Sequence, residues 1–220
     1  KYQLLKDFIS IFHYKHHFDS FNYQDLKPGF IELGRAAQWF YALGYDFLQK
    51  HALYRKHLNL KKTQTLAKKV CDANSILFLC YGNINRSAVA DAIFCQSNPN
   101  HPQRIQSAGF HPKANRPADP NMIEAAAQQQ IDLQGSRSKT LDEAMLSSSD
   151  IILAMEIEHL RKLIEHYPEH KHKAFLLGSL NSDPLAPLEI SDPYGKKPEA
   201  YQQCFQQIQQ GIKTLLPTSC

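Results

Sequence analysis

The chain has 220 residues, of which 43% are hydrophobic and 21% charged, and its formal net charge is +4. This balance is typical of a folded globular protein of one domain with an appendage, and it excludes collagenous, low-complexity and disordered chains. No apolar run reaches the roughly 18 residues that a transmembrane helix needs, which excludes a membrane-spanning protein. The 5 cysteines show no Cys-x-x-Cys pair and no zinc-site spacing, so we expect no metal site and a reducing, cytoplasmic location.

Positive charge and aromatic residues are concentrated in residues 1–70. This segment holds 12 Lys and Arg against 5 Asp and Glu, and it holds 14 of the 23 aromatic residues. Apolar residues spaced by three and four predict a helical hairpin with arms at 2–16 and 30–48, followed by a polar link at 60–74. We therefore predict a helical, basic, aromatic-rich extension at 1–70. Its basic face favours either docking to a protein or membrane surface, or simple packing on the domain that follows.

From Ser75 onward, short apolar runs alternate with helical stretches. The predicted strands are 76–79, 104–107, 150–154 and 174–177, and the predicted helices are 87–94, 120–130, 156–166 and 198–215. This alternation predicts an α/β fold, in which a parallel sheet is covered by helices on both faces. Because ligands bind beyond the carboxyl ends of the strands in such sheets, we expect the site to lie in the loops that follow the strands.

Directly after the first predicted strand, five residues separate a cysteine from an arginine, Cys80 from Arg86. Backbone N–H groups of such a loop can converge on an anion, and the start of the following helix adds positive potential. Arg86 can bind two oxygens of a phosphate, and the same field favours the thiolate form of Cys80. Ser87 can donate a hydrogen bond to that sulfur, and Gly82 is expected where the backbone is too tight for a side chain or needs a positive φ. The pattern predicts a phosphate-binding loop with a nucleophilic cysteine.

The stretch at 79–94 resembles the phosphate-binding loop of the low-molecular-weight protein tyrosine phosphatases, whose pattern is Cys-x-Gly-Asn-Ile-Cys-Arg-Ser-Pro. The resemblance continues in unbroken order through Ser107-Ala108-Gly109, Arg116-Pro117-Ala118-Asp119, Arg137-Ser138 and Asp192-Pro193-Tyr194. It covers about residues 74–217, which we predict to be the phosphatase domain, and it leaves 1–70 unrecognised. It implies a four-stranded parallel sheet with helices on both faces, and no metal or organic cofactor.

The resemblance also implies a two-step hydrolysis of phosphotyrosine in a protein substrate, with no role for nucleic acid. Cys80 attacks phosphorus and forms a cysteinyl-phosphate, Arg86 stabilises the transition state, and Asp192 acts first as acid and then as base. The implied phosphate-binding loop comprises Tyr81, Gly82, Asn83, Ile84, Asn85 and Ser87. The residues expected to line the substrate slot or to support the loop are Tyr194, Ser107 and Ser136.

The sequence departs from the family pattern at four positions. Asn85 stands where the family has a second cysteine, Ala88 replaces a proline, Ser136 replaces a histidine that supports the loop asparagine, and Gly195 replaces an aromatic residue. The change at Ser136 leaves the support of Asn83 open, and Gly195 implies a wider substrate slot. No departure removes the nucleophile, the arginine or the acid.

The sequence leaves three functions open. Ile84 favours phosphotyrosine, because members of the family that act on phosphoarginine tend to carry threonine there. An arsenate reductase needs a resolving thiol, and Cys71 and Cys95 are the nearest cysteines in sequence, although neither has a paired redox spacing. A weakly active module that binds phosphoproteins is the third reading, which the N-terminal extension and the departure at Ser136 leave open.

Overall fold

The computed structural model describes residues 28–63, 65–97, 99–100 and 102–215. The chain divides into two compact units, Lys1–Leu48 and Gln49–Cys220. Within the described residues, no helix combines the length and the apolar character that crossing a membrane requires. The predicted helix at 2–16 lies outside the described residues, so only the second arm of the predicted hairpin is described.

Four strands form the parallel sheet that the sequence predicts. They are β1 (Ser75–Cys80), β2 (Arg104–Gly109), β3 (Ile151–Ala154) and β4 (Ala174–Leu176), in the order β2-β1-β3-β4. β1 pairs with β2 on one side and with β3 on the other, and Cys80 lies opposite Gly109. All residues of β1 are buried, as expected of a strand that is covered on both faces. Cys80, the last residue of β1, therefore lies at the carboxyl edge of the sheet, between two neighbouring strands.

Helices cover both faces of the sheet, which confirms the predicted fold class. The helices of the described residues are α1 (Pro28–Thr63), α2 (Thr65–Cys71), α3 (Arg86–Ser97), α4 (Pro120–Ala127), α5 (Glu143–Ser147), α6 (Ile157–His166) and α7 (Pro198–Lys213), with short 3-10 helices at Pro168–Lys173 and Leu177–Leu180. Alternate residues of β1 point to opposite faces. Ile76 and Phe78 join one apolar cluster with α3, α4 and α7, whereas Leu77 and Leu79 join a second cluster with α5 and α6.

The prediction of a polar link at 60–74 is wrong, because most of this stretch is helical. α1 continues to Thr63, and α2 follows almost at once. Leu66 and Val70, four residues apart on α2, are both completely buried in the first apolar cluster. The lysines between them face solvent, so a lysine-rich composition conceals a helix with one apolar face. The second compact unit accordingly begins at Gln49, ahead of the predicted phosphatase domain at 74–217.

Candidate active site

The candidate site begins where the chain leaves β1 and turns into α3. Within this turn Asn83 has a φ of +51°, a left-handed conformation that asparagine tolerates better than most residues. The backbone of this turn passes closest to Gly109 at the end of β2, where a Cβ would lie 2.5 Å from Tyr81 O and 2.9 Å from Asn83 N. A Cβ on Gly82 would meet only ordinary contacts, from 3.5 Å outward. The prediction of a tight or positive-φ position at Gly82 is therefore wrong, and Gly109 and Asn83 meet these two needs instead.

The thiol of Cys80 is buried at the floor of this turn. The Asn83 N–H donates a hydrogen bond to Cys80 Sγ at 3.2 Å, and Ser87 Oγ lies 3.0 Å from the same sulfur. These two contacts fix the position of the sulfur at the carboxyl end of β1. The geometry therefore suits Cys80 to act as a nucleophile.

Asn83 holds the turn in shape through both ends of its side chain. Its Nδ2 donates to Ser87 Oγ at 2.9 Å, and its Oδ1 accepts from the backbone N–H of Lys139 at 2.7 Å. Ser136 instead uses its backbone oxygen, which accepts from Arg137 Nη1 at 2.8 Å. The support that the family draws from a histidine at position 136 thus comes from the backbone three residues further along.

Arg86 is almost completely buried, and its guanidinium connects three parts of the chain. Nη1 lies 2.7 Å from Glu156 Oε2 and donates to Ile190 O at 3.0 Å, and Nη2 donates to Asp192 Oδ2 at 2.7 Å. Burial alone would lower the pKa of Arg86, but the negative charges of Cys80, Asp192 and Glu156 outweigh burial and raise that pKa overall. Arg86 Nε is buried without a hydrogen-bond partner among the described residues, so this N–H donor is not used within the protein.

Asp192 lies in a short loop that is fixed at both ends. The N–H of Tyr194 donates to Asp192 Oδ1 at 3.2 Å, and further on the N–H of Gly195 donates to the hydroxyl of Tyr201 at 3.2 Å. Gly195 has a φ of +70°, which explains why glycine replaces the aromatic residue of the family here. Tyr201 belongs to α7 and in turn donates to Asp119 Oδ2 at 3.3 Å. The loop that carries Asp192 is therefore attached to the helical layer behind the sheet.

A pocket of about 280 Å³ opens above the thiol. Its lining comprises Cys80, Tyr81, Gly82, Asn83, Ile84, Asn85, Arg86, His111, Arg116, Asp192 and Tyr194. Tyr81 and Tyr194 are 45% and 66% exposed, so both residues offer ring surface to a planar group that enters the pocket. The structure thus brings the predicted nucleophile, arginine and acid together around one cavity.

Three of the predicted site residues lie outside this lining, namely Ser87, Ser107 and Ser136. Ser87 is completely buried and contacts Cys80 Sγ at 3.0 Å. Ser107 Oγ donates to Asp91 Oδ2 at 2.8 Å and thereby ties β2 to α3. Ser136 lies in the loop after α4, where it contributes backbone contacts only to Arg137 and Leu133 in the described structure. The side chains of Ser107 and Ser136 do not reach the pocket.

Sequence reasoning missed Glu156 and His159, which support the site from the start of α6. Glu156 binds Arg86, and its backbone N–H donates to His159 Nδ1 at 3.1 Å. Burial, followed by the positive charges of Arg86 and Lys162, lowers the pKa of His159 to about 3, so that the imidazole is neutral and can accept this bond. The available signal was the position of Glu156 two residues after the buried strand β3, because side chains that follow a parallel strand lie at the carboxyl edge of the sheet.

The remaining cysteines are poorly suited to act on Cys80. Cys71 is already bonded in a disulfide, whereas Cys80, Cys95 and Cys204 are free. Burial of the thiol and the carboxylate of Asp91 raise the pKa of Cys95 to about 11. Burial raises the pKa of Cys204 to about 12. Thiols with such pKa values are protonated near neutral pH and attack slowly.

Comparisons with known proteins agree on one family for this region. The family model of the low molecular weight phosphotyrosine protein phosphatases matches residues 75–219. The low molecular weight protein-tyrosine-phosphatase Wzb of Escherichia coli strain K12 is 34% identical over 128 residues, which are 58% of this chain and 83% of that protein. The tyrosine phosphatase Wzb from Escherichia coli K30, solved in complex with sulphate, aligns with a TM-score of 0.58 and 31% identity over 64% of this chain and 94% of that chain. The YwlE arginine phosphatase from Geobacillus stearothermophilus aligns with a TM-score of 0.59 and 26% identity over 64% and 90%.

Proposed function

The chain belongs to the low molecular weight phosphotyrosine protein phosphatase family and is a cysteine-dependent protein-tyrosine phosphatase, and from this premise we propose that Cys80, Arg86 and Asp192 carry the reaction. One observation supports the assignment most directly. The Cys80 thiol is contacted by Asn83 and Ser87 at the floor of a pocket that Arg86 and Asp192 also line. A phosphate bound there meets a nucleophile, a fixed cation and a carboxyl group together.

In the first step, Cys80 as thiolate attacks phosphorus while the bond from phosphorus to the tyrosine oxygen breaks. Asp192, in its protonated form, gives its proton to the leaving phenolate oxygen. Arg86 and the loop N–H groups neutralise the charge that spreads over the equatorial oxygens. Because Arg86 Nη2 is also the donor to Asp192, an arriving phosphate competes for this donor and frees the carboxyl group beside the leaving group.

In the second step, water attacks the cysteinyl-phosphate. The sulfur–phosphorus bond breaks, Cys80 returns to the thiolate, and the Asp192 carboxylate accepts the proton of the attacking water. Ser87 and the Asn83 N–H stabilise the departing thiolate, since both already contact Cys80 Sγ. Inorganic phosphate then leaves, and Asp192 is again a carboxylic acid.

Phosphotyrosine is the substrate that the lining of the pocket favours over phosphoarginine. Ile84 supplies an apolar wall, and Tyr81 and Tyr194 add ring surface at the entrance. These groups suit the face of a phenyl ring, whereas a phosphoarginine guanidinium brings N–H donors that need acceptors. Arsenate reduction is disfavoured because Cys95 and Cys204 have raised pKa values and Cys71 is held in a disulfide.

The deciding experiment is an activity assay on p-nitrophenyl phosphate, a phosphotyrosine peptide and a phosphoarginine peptide. We expect turnover of the first two, a much lower kcat/KM for phosphoarginine, and no turnover by Cys80→Ser. Cys95→Ser is the matched control, because Cys95 is an exposed residue of α3 outside the pocket, and we expect it to keep full activity. Full turnover by Cys80→Ser would contradict the proposal, and faster hydrolysis of phosphoarginine would reassign the substrate.

Two further inferences concern the surroundings of the enzyme. The positive charge of residues 1–70 leads us to propose that they dock to a protein or membrane surface. The free thiols of Cys80, Cys95 and Cys204 lead us to propose a cytoplasmic location, even though Cys71 is in a disulfide. Co-sedimentation of the full chain with anionic vesicles tests membrane docking, and absence of binding at low salt would leave a protein surface as the partner.

A further inference from the structure

One side of the pocket mouth carries cations that the reaction itself does not use. Lys113, Arg116 and Lys162, here called the basic rim, come from the loop after β2 and from α6. Lys162 Nζ lies 5.0 Å from the centre of the Tyr81 ring, and the ring of His111 lies edge-on to Tyr81 at 5.9 Å. Contacts through Tyr81 and His111, both of which line the pocket, therefore connect the basic rim to its entrance.

The loop part of the basic rim is fixed by its own hydrogen bonds. The N–H of Lys113 donates to His111 Nδ1 at 3.1 Å, and Arg116 Nε donates to Lys113 O at 3.0 Å. Arg116 Nη2 also donates to Gly82 O in the phosphate-binding turn. Lys113 uses only its backbone in these contacts and is exposed, so its side chain is available to a ligand.

No carboxylate of the described residues lies within ion-pair distance of the basic rim, and Glu158 and Glu165 of α6 pair with Arg161 instead. The two acidic side chains that contact Arg86, Glu156 and Asp192, both lie 2.7 Å from its guanidinium. In the described residues, none of the three rim cations takes part in an ion pair. A polypeptide that crosses the pocket mouth therefore meets positive charge on this side.

We propose that the basic rim is a subsite for an acidic side chain next to phosphotyrosine, so that the preferred substrates are phosphotyrosine segments flanked by aspartate or glutamate. This inference rests on the proposed function. An extended peptide advances about 3.3 Å per residue, so the residues one and two positions from phosphotyrosine lie within reach of long lysine and arginine side chains. Opposite charge at these positions adds affinity, and a flanking lysine in the same place is repelled.

The first arm of the test compares three phosphotyrosine peptides that differ only in the flanking positions, which carry glutamate, glutamine or lysine. We expect kcat/KM to fall in that order by about two- to fivefold per step at low ionic strength, because exposed ion pairs contribute modestly. The differences should shrink as salt is added. Equal kcat/KM values for the glutamate and lysine peptides would overturn the inference.

The second arm reverses the charge of the subsite. In Lys113→Glu and Lys162→Glu, we expect the ratio of kcat/KM for the glutamate peptide to kcat/KM for the lysine peptide to fall or invert. A general loss of activity would lower both values and leave this ratio unchanged. Lys171→Glu is the matched control, because Lys171 is exposed and precedes β4, at the opposite edge of the sheet. A ratio that both rim variants leave unchanged, or that Lys171→Glu changes equally, would overturn the inference.

The third arm separates this inference from the proposed function. Dissociation constants of the same three peptides are measured for Cys80→Ser by fluorescence anisotropy, which needs no turnover. The glutamate peptide should bind most tightly and the lysine peptide least. Failure of the wild-type protein to hydrolyse p-nitrophenyl phosphate, which has no flanking residues, would count against the proposed function only, while equal dissociation constants would count against the basic rim.

Discussion

Arg86 controls how charge is distributed in the site. Its guanidinium binds Glu156 through Nη1 and Asp192 through Nη2, both at 2.7 Å. When phosphate takes the Nη2 donor, the bonds from Nη1 to Glu156 and Ile190 O still fix the orientation of the plane. Arg86 can therefore exchange one carboxylate for the substrate without losing its geometry, which is the arrangement that preorganised electrostatic catalysis requires.

The role of Asp192 leads to the first prediction. Asp192→Asn should lower kcat by roughly 10²–10⁴-fold for aryl phosphates that release a phenol of high pKa, because the leaving oxygen of such a phenol needs a proton in the transition state. The loss should be smaller for leaving groups with a low pKa, such as nitrophenols. Steady-state kinetics on a series of aryl phosphates measures this dependence.

Asp132→Asn is a suitable control for this prediction, since Asp132 is exposed in the loop after α4 and its side chain bonds only locally, to Gln134 N–H at 2.8 Å. We expect this control to show wild-type kinetics. A uniform loss across all leaving groups in Asp192→Asn would show that Asp192 holds Arg86 and does not act as the acid.

Asn85 predicts how the enzyme responds to peroxide. The family has a cysteine there that can form a disulfide with an oxidised nucleophile, whereas Asn85 has no sulfur. Oxidised Cys80 should therefore proceed from sulfenic to sulfinic acid and stay inactive after treatment with dithiothreitol. Activity measurements and peptide mass spectrometry after brief oxidation test this, and Asn85→Cys should restore recovery. A mapped disulfide between Cys80 and either Cys95 or Cys204 would contradict the prediction.

Part of the site follows from sequence because it is local. Cys80, Arg86 and the turn between them occupy consecutive positions, so their spacing is visible in the chain. The support of Asn83 by the Lys139 N–H is not visible, because a backbone donor leaves no trace in residue identity. The position of Glu156 after a buried strand is visible in the sequence, but its bond to Arg86 joins residues far apart in the chain and is not.

The second half of α1 and the helix α2 form part of the enzyme's own compact unit. His57 is completely buried against Phe175 of β4, with ring centres 6.4 Å apart, and Lys61 is 6% exposed. Lys61 Nζ donates to Ala186 O, in the segment that leads through Leu188 and Ile190 to the acid loop. Burial lowers the pKa of Lys61, while the nearby Asp183 carboxylate acts in the opposite direction. A helix outside the family match thus contacts the segment that precedes the acid.

Lys61→Met should loosen this segment. Loss of a hydrogen bond from a charged donor costs about 1.5–3 kcal/mol locally, so amide exchange at 182–188 should accelerate by about tenfold or more. Hydrogen exchange with mass spectrometry measures the change, and kcat on p-nitrophenyl phosphate shows whether the acid loop responds.

Lys62→Met gives the matched control, because the adjacent Lys62 is exposed and should leave exchange in this segment unchanged. Identical exchange in Lys61→Met and Lys62→Met would mean that Lys61 does not hold the segment.

At the level of helices and strands, the sequence predicts what depends on periodicity. The alternation of apolar runs and helical stretches after Ser75 correctly predicts the parallel sheet and its covering helices. It fails at 60–74, where Leu66 and Val70 are two apolar positions among lysines. This segment is helical because packing against the core buries both residues. Such tertiary packing cannot be read from the local composition.

Across the whole molecule, two buried histidines couple stability to pH. Burial lowers the pKa of His57 to about 4 and that of His159 to about 3, from an ordinary value near 6.5. The folded state therefore binds fewer protons than the unfolded chain at mildly acidic pH. The stabilisation is fully present above pH 6.5 and is lost as the pH falls from there through the folded-state values.

For His57 alone, we expect the free energy of unfolding to fall by about 2 kcal/mol between pH 7 and pH 5. His57→Leu should remove this part of the pH dependence, because leucine fills a similar buried volume without titrating. Urea denaturation at both pH values measures the difference between wild type and variant. His172→Leu changes an exposed histidine and should retain the wild-type dependence; equal slopes for wild type and His57→Leu would refute the coupling.

The attachment of Arg86 to Ile190 and Asp192 also has a consequence for biosynthesis. The nucleophile and its turn are synthesised first, but the partners of the guanidinium lie 104 and 106 residues later in the chain. A ribosome-bound chain in which Ile190 and Asp192 are still inside the ribosome has Cys80 and Arg86 but lacks the proposed acid. Such distant contacts form late in folding. The enzyme therefore gains its activity only after Ile190 and Asp192 have emerged from the ribosome, and it is silent towards phosphoproteins until then.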